Sequence, residues 1–264
     1  MAISFKNRPG LIVYLTCGDP DMATTRDVVL GAAAAGADVI ELGVPFSDPV
    51  ADGPVIQRAS ERALRNGATL EQVLDLARDV RSKSPDVGLI VFSYFNPVLR
   101  FGVSRFCAAA ADAGVDGALI TDLTVEEAGE YVRAMRARQL ATVFLAAPTS
   151  TDARLRKIAD ACRGFVYAVS RTGVTGTRKE LTTDARELCT RLRRFTSLPI
   201  AVGFGISTAE HLTEVGEFAD AGVVGSAVVE TIERAGRERA AGAVAEFVAA
   251  LVREARVRPL ALST

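Results

Sequence analysis

The sequence predicts a (β/α)8 barrel, and three observations carry that reading. Eight short apolar runs, rich in β-branched side chains, recur along the 264 residues. Between them lie segments with apolar residues three and four positions apart, the spacing of a helix that buries one face. The runs themselves are continuously apolar rather than alternating, as strands covered on both faces are. Strands that alternate with helices pair in parallel, and eight such units in this length fit a closed barrel better than an open doubly wound sheet. Residues 1–264 are therefore read as a single barrel domain, with 258–264 a loose C-terminal tail.

In chain order the strand runs are Leu11–Thr16, Asp38–Leu42, Gly88–Tyr94, Gly117–Thr121, Ala141–Ala146, Phe165–Val169, Pro199–Gly203 and Ala221–Gly225. Clear helical spacing covers Leu70–Arg81, Val125–Arg138 and Ala153–Cys162. Helix starts carry capping residues, Thr149 to Asp152 before one and Ser207–Thr208 before another, because a side-chain oxygen there accepts an otherwise unpaired N–H. The phrases Ala35-Gly36-Ala37-Asp38 and Ala113-Gly114-Val115-Asp116 each end a helix on glycine and enter a strand. Two long loops interrupt this rhythm. Val44–Gln57 contains Pro45, Pro49 and Pro54, while Arg171–Glu180 is rich in glycine, threonine and charge and is expected to be mobile. Loops that follow barrel strands are where such folds keep their chemistry.

Composition excludes several function classes. With 31 basic and 32 acidic residues, no basic run and no Trp, nucleic acid is not an expected partner. No apolar stretch approaches the roughly 20 residues that span a bilayer, and no secretory h-region follows Met1. Cys17, Cys107, Cys162 and Cys189 are widely spaced. They form neither a CxxC pair nor a metal-ligand cluster, so a cytoplasmic enzyme with reduced thiols and no metal is expected. The single histidine, His211, sits in a polar helical context and reads as a surface or capping residue.

Two constellations can carry chemistry. Glu41 lies near the end of the second apolar run. If Ile40 and Leu42 face the helices, strand alternation points Glu41 into the barrel. Desolvation there raises a carboxyl pKa, which suits a group that gives and takes a proton near neutral pH. The alternative is a buried glutamate held by an ion pair. Asp52, with Asp48 nearby and Gly53 beside it, is either a working carboxylate or a turn former. The second constellation is glycine-rich: Gly173 to Gly176, Gly203-Phe204-Gly205-Ile206-Ser207, and Gly225-Ser226 follow the sixth, seventh and eighth runs. Glycine lets backbone N–H groups approach an oxyanion, and a helix starting just after adds its dipole. Each motif alone is consistent with a tight turn. Placed together, where barrels bind phosphate, they point to a phosphate site.

At this point Glu41 to Gln57 (ELGVPFSDPVADGPVIQ) resembles the signature of the tryptophan synthase α-subunit family. The likeness continues through Leu15–Pro20, Tyr94–Pro97, Asp122–Glu127, Ser170–Gly176, Gly203–Ser207 and Gly225–Val228, in order over about residues 11 to 235. It implies a (β/α)8 barrel that performs a retro-aldol cleavage of indole-3-glycerol phosphate to indole and glyceraldehyde 3-phosphate, in tryptophan biosynthesis, without metal or organic cofactor. By resemblance Glu41 is the general acid/base and Asp52 holds the indole N–H. Tyr167 contacts substrate or Glu41. Tyr14 and Phe204 sandwich the indole, and Thr175 assists Asp52 on loop closure. Gly176, Gly205, Gly225 and Ser226 bind the phosphate. The family usually joins a pyridoxal-phosphate β-subunit in an αββα complex, in which any pyridoxal phosphate belongs to that partner. The loop Pro45–Pro54 and the segment around Asp122 would face it.

The chain departs from the family pattern in three places. Only about ten residues precede Leu11, and Asn7-Arg8-Pro9-Gly10 cannot easily be helical, so a barrel floor more open than usual is expected. Thr124 stands where the family has a proline, and Glu230 where a basic residue is common. A stand-alone lyase that releases free indole is therefore kept beside the complex-forming subunit. Two readings of other classes are a non-catalytic partner of a β-subunit and another phosphate-binding barrel, an isomerase or cyclase. The first would not need Glu41, Asp52, Tyr167 and the phosphate glycines; the second would not need the Glu41–Asp52 motif.

Overall fold

The computed structural model describes residues 3, 5, 8–169, 178–203 and 205–257. The strands are β1 (Gly10–Thr16), β2 (Val39–Gly43), β3 (Gly88–Ser93), β4 (Gly117–Ile120), β5 (Ala141–Val143), β6 (Leu145–Ala146), β7 (Val166–Val169), β8 (Ile200–Gly203) and β9 (Ala221–Val224). All pair in parallel in one sheet of order β5-β4-β3-β2-β1-β9-β8-β7-β6. Only Phe144 separates β5 from β6. The first pairs with β4 and the second with β7, so the fifth apolar run closes the ring and the architecture is an eight-unit barrel. The helices are α1 (Met22–Ala34), α2 (Pro54–Arg65), α3 (Leu70–Lys83), α4 (Phe95–Phe101), α5 (Val103–Asp112), α6 (Gly129–Ala137), α7 (Asp152–Ala161), α8 (Arg178–Leu192), α9 (Ala209–Gly216), α10 (Ser226–Ala235) and α11 (Ala240–Val257).

Strand alternation sorts the core into two layers. Leu11, Val13 and Leu15 of β1 join Ile40 and Leu42 of β2 in the layer beneath the helices. Ile12, Val39, Ile90, Leu119, Val143 and Phe165 fill the barrel interior. Every residue of β1 and β2 is buried, which is why both faces had to be apolar. Burying one such side chain stabilises the fold by about 1.5–3 kcal/mol.

Local signals behave as their chemistry dictates. Thr151 accepts from the Arg154 N–H and Thr208 from the His211 N–H, each at 3.3 Å. His211 itself accepts from the Ser207 N–H through Nδ1 at 3.3 Å. Gly36 and Gly114 take φ of 106° and 74°, left-handed values that end α1 and α5 without a Cβ clash. The aspartates that follow these glycines do more than begin strands. Asp38 accepts from Leu11 N at 2.9 Å, and Asp116 from Leu89 N at 2.8 Å. Asp220 repeats the device on Ile200 N at 2.8 Å. Each buried carboxylate thus satisfies an N–H at the start of a neighbouring strand and ties the lower rim of the barrel together.

Four expectations change. The loop after β2 ends at Gly53, because Pro54 pre-sets the first turn of α2 with its fixed φ and missing N–H. Helix α6 starts at Gly129 rather than Val125. Ahead of it Thr124 makes a turn, its hydroxyl donating to Glu127 Oε2 at 3.0 Å and its carbonyl accepting from Glu127 N at 3.1 Å. The loop after β7 ends by Arg178, where α8 begins; residues 170–177 and the 258–264 tail lie outside the described residues. The barrel floor is not left open. Ile3 is buried, Phe5 packs edge-on against Phe165 at 6.2 Å, and both belong with the interior layer. Two apolar side chains thus cover the face that was expected to be open.

Candidate active site

Glu41 is fully buried on β2, opposite Tyr14 of β1 and Ile90 of β3. Among the described residues neither of its carboxylate oxygens has a hydrogen-bond partner, so the ion-paired alternative is excluded there. Burial pushes its carboxyl up from 4.5 to about 8. A buried polar group left unpaired is costly and calls for an explanation outside packing.

Two tyrosines flank it. Tyr167 on β7 and Tyr14 on β1 are both buried in the interior, and each hydroxyl is held far above its ordinary range, first by burial and also by the nearby Glu41 charge. Glycines make room for both rings. A Cβ at Gly203 would stand 2.7 Å from Tyr167 ring atoms, and one at Gly43 would stand 2.6 Å from the Tyr14 hydroxyl. Tyr14 also meets Phe92 edge-on at 5.0 Å and packs with Ala59 of α2 and Val229 of α10. These form an apolar wall beside Glu41.

Asp52 reaches the same end of the barrel from the β2–α2 loop. Its partial burial raises its carboxyl from 3.8 to about 6, against a hydrogen bond from Tyr94 that lowers it. The Tyr94 hydroxyl also accepts from Ala51 N at 2.9 Å, and its ring lies 5.0 Å from that of Phe46. Tyr94 therefore anchors the loop at the carboxylate, a role its sequence context did not reveal. The sequence signal was only its place in the Tyr94–Pro97 motif. Gln57 adds a second tie, donating to the Asp52 carbonyl at 2.8 Å.

The phosphate candidates come from adjacent strands. Gly205 (φ 43°) follows β8 and Gly225 follows β9, and these two strands pair in parallel. Gly225 precedes α10, whose first turn carries no acidic residue and no side-chain cap. Ser226 opens that helix and is exposed. An uncapped helix start of this kind favours an anion. A Cβ on Gly225 would lie 3.5 Å from the Tyr14 ring, so the apolar wall and the helix start are neighbours. Thr175, Gly176 and Phe204 fall outside the described residues. Among the described residues, no group of three His, Cys, Asp or Glu side chains is arranged to hold a metal.

Sequence and structure comparisons agree on one family. A family profile described as tryptophan synthase alpha chain matches residues 1–256. A tryptophan synthase alpha chain of Solibacter usitatus is 56% identical over 229 residues, spanning 87% of this chain and 85% of that one. The crystal structure of tryptophan synthase subunit alpha from Legionella pneumophila superposes with a TM-score of 0.87 at 32% identity, covering 95% of this chain and 94% of that chain. A chain of the tryptophan synthase complex from Pyrococcus furiosus gives 0.84 at 40% identity, covering 93% and 98%.

Proposed function

The chain belongs to the tryptophan synthase alpha chain family, and from that premise we propose that it cleaves indole-3-glycerol phosphate with Glu41 as acid/base and Asp52 as the carboxylate that steadies the indole. The observation that carries this reading is the Glu41 carboxyl, buried at the top of the barrel and without a hydrogen-bond partner among the described residues. A pKa of about 8 keeps it protonated at neutral pH. It can then give its proton to indole C3, which turns the ring into an iminium cation. The same carboxylate next takes the proton of the hydroxyl on the carbon attached to C3. The carbon–carbon bond breaks, the aldehyde of glyceraldehyde 3-phosphate forms, the electron pair restores the indole, and Glu41 ends protonated. Asp52, ionised above about pH 6, faces the ring N–H where the positive charge develops, and a fixed anion in a dry site stabilises that charge strongly. Tyr167 positions Glu41 or the substrate, and Tyr14 forms the wall against which the indole lies. Gly205, Gly225 and Ser226 hold the phosphate. Phe204, Thr175 and Gly176 complete the pocket by family likeness.

The family needs no cofactor of its own, and this chemistry calls for none. No helix of the described residues is long and apolar enough to cross a membrane, and four free, buried cysteines suit a reducing cytoplasm. A tryptophan synthase β chain is the proposed partner. Val50, Leu64 and Leu99 are the exposed large apolar residues among those described. They lie on the β2–α2 loop, α2 and α4; Leu64 lines a cleft with Phe46, Pro97 and Phe101, and Leu99 lines another with Phe95 and Val103. The test is cleavage by Glu41→Gln and Asp52→Asn. Each variant should fold and lose at least about 100-fold in kcat, the usual contribution of a positioned acid/base. Near-normal turnover by either would remove that residue from the mechanism.

A further inference from the structure

Arg62 lies outside the reaction chemistry yet joins three elements that build the site. Its Nε and Nη2 donate to the two carboxylate oxygens of Asp19, both at 2.8 Å. Its Nη1 donates to Glu233 Oε1 at 2.7 Å, and Arg58 reaches Glu233 Oε2 at 3.3 Å. Asp19 is buried in the loop between β1 and α1. Glu233 sits on α10, whose N-terminal end carries Ser226. Arg62 itself is on α2, the helix that starts at Pro54, just after Asp52. A planar guanidinium with a forked pair on one side and a third bond on the other fixes direction as well as distance.

Besides Arg62, helix α2 is tied by Asn66 at its end, which donates to the Pro20 carbonyl, by Arg58, and by Val55 and Ile56 packed against the Tyr14 cluster. Arg62 alone makes a forked pair to a buried carboxylate and bridges the β1 loop to α10. The buried residues of α2 are Ala59, Ser60 and Ala63, small side chains that bury little apolar area. The Asp52 backbone moves with the first turn of α2, because Gln57 holds its carbonyl and Gly53 accepts from Gln57 N at 3.0 Å. From Pro54 to Arg62 is a lever of roughly 12 Å at about 1.5 Å per residue. A tilt of about 5° about the clamp thus shifts the Asp52 end by about 1 Å, a misplacement worth on the order of 100-fold in rate.

We propose that Arg62 is a positioning residue for Asp52: its forked pair with Asp19 and its bond to Glu233 fix α2 between the β1 loop and the phosphate-side helix, and so set where the Asp52 carboxylate stands. This rests on the role given to Asp52 above. The experiment measures kcat and KM for indole-3-glycerol phosphate cleavage by the full chain carrying Arg62→Met, Arg62→Lys or Glu233→Gln, alone and combined with Asp52→Asn. Slow variants are read in single turnover with enzyme in excess. Arg62→Met should lower kcat by about 30- to 100-fold with KM changed less than about threefold. Arg62→Lys, which keeps the charge but not the fork, should recover part of the loss. Glu233→Gln should lose less than Arg62→Met. In the Asp52→Asn background the Arg62 substitutions should cost less than about threefold more, since the group they position is gone. Losses that multiply in that background would make Arg62 a scaffold residue only and overturn the proposal, as would an unchanged kcat in any folded Arg62 variant. If Arg62→Met does not fold, the same comparison is decided by Arg62→Lys and Glu233→Gln, which leave buried Asp19 with a cation. An Asp52→Asn enzyme with undiminished kcat sinks the assignment of Asp52 and the clamp with it, whereas multiplying losses sink the clamp alone.

Discussion

Glu41→Gln should reveal what the fold gives up to keep a buried carboxyl in its interior. In the unfolded chain this group ionises near 4.5; in the folded chain burial holds it protonated until about pH 8. Between those values the folded state binds one proton more than the unfolded state, so stability falls as pH rises through the window. The loss accumulates at about 1.4 kcal/mol per pH unit, to about 5 kcal/mol above pH 8. Glutamine has nearly the same shape and does not titrate. It leaves an unpaired amide that costs about 1–3 kcal/mol at every pH. The variant should therefore be no more stable than the parent near pH 4.5 and more stable by about 2–4 kcal/mol above pH 8. Urea unfolding of both proteins at pH 5, 6, 7 and 8 isolates the effect, because every other titrating group cancels in the difference. A stability difference that stays flat across this range would mean that Glu41 is solvated or partnered in solution, and the case for a neutral acid at pH 7 would collapse.

The pH dependence of kcat/KM should be bell-shaped. Activity should rise as Asp52 ionises near 6 and fall as Glu41 ionises near 8, and Asp52→Asn should remove the acid limb. Ser226→Asp places a negative charge at the uncapped start of α10 and should raise KM about tenfold or more, the effect of one like charge worth about 1.4 kcal/mol; an unaltered KM would move the phosphate elsewhere. Gly203→Ala should lower stability by about 1–3 kcal/mol, the usual cost of overpacking, because its methyl would press on the Tyr167 ring, and an unchanged Tm would show that the ring moves freely. Adding a pyridoxal-phosphate β chain should accelerate indole release if the face bearing Val50 and Leu99 docks a partner. A fast enzyme indifferent to it would favour the stand-alone lyase.

Much of the barrel was legible because its signals are local. Eight apolar runs, glycine at Gly36 and Gly114, and caps at Thr151 and Thr208 each act within a few residues. Errors arose where a distant contact decides the outcome. The floor of the barrel looked open because no N-terminal helix was visible, yet Ile3 joins the interior layer there and Phe5 meets Phe165, a contact no window of sequence contains. The start of α6 moved because the Thr124 turn outcompeted a helical pattern. Pro54 could have placed the start of α2, since proline at the first helical position is a local rule.

The candidate site divides along the same line. Glu41 could be aimed from strand parity alone, since Ile40 and Leu42 claim the helix side. Its lack of a partner among the described residues could not be read, because that depends on all the side chains packed around it. Tyr94 and Arg62 have the opposite character. Arg62 sits in no motif and Tyr94 only in the Tyr94–Pro97 likeness, which does not name its partner, and each acts across 43 positions of chain, on Asp19 and on Ala51. The two meet in their consequence for Asp52, one holding the loop beside the carboxylate and the other orienting the helix that follows. A carboxylate on a loop is as precise as the rigid elements at its ends. The proposed reactive residues of this barrel are thus written in the sequence as a motif, while the geometry that would make them useful is carried by ordinary-looking side chains whose partners the fold alone supplies.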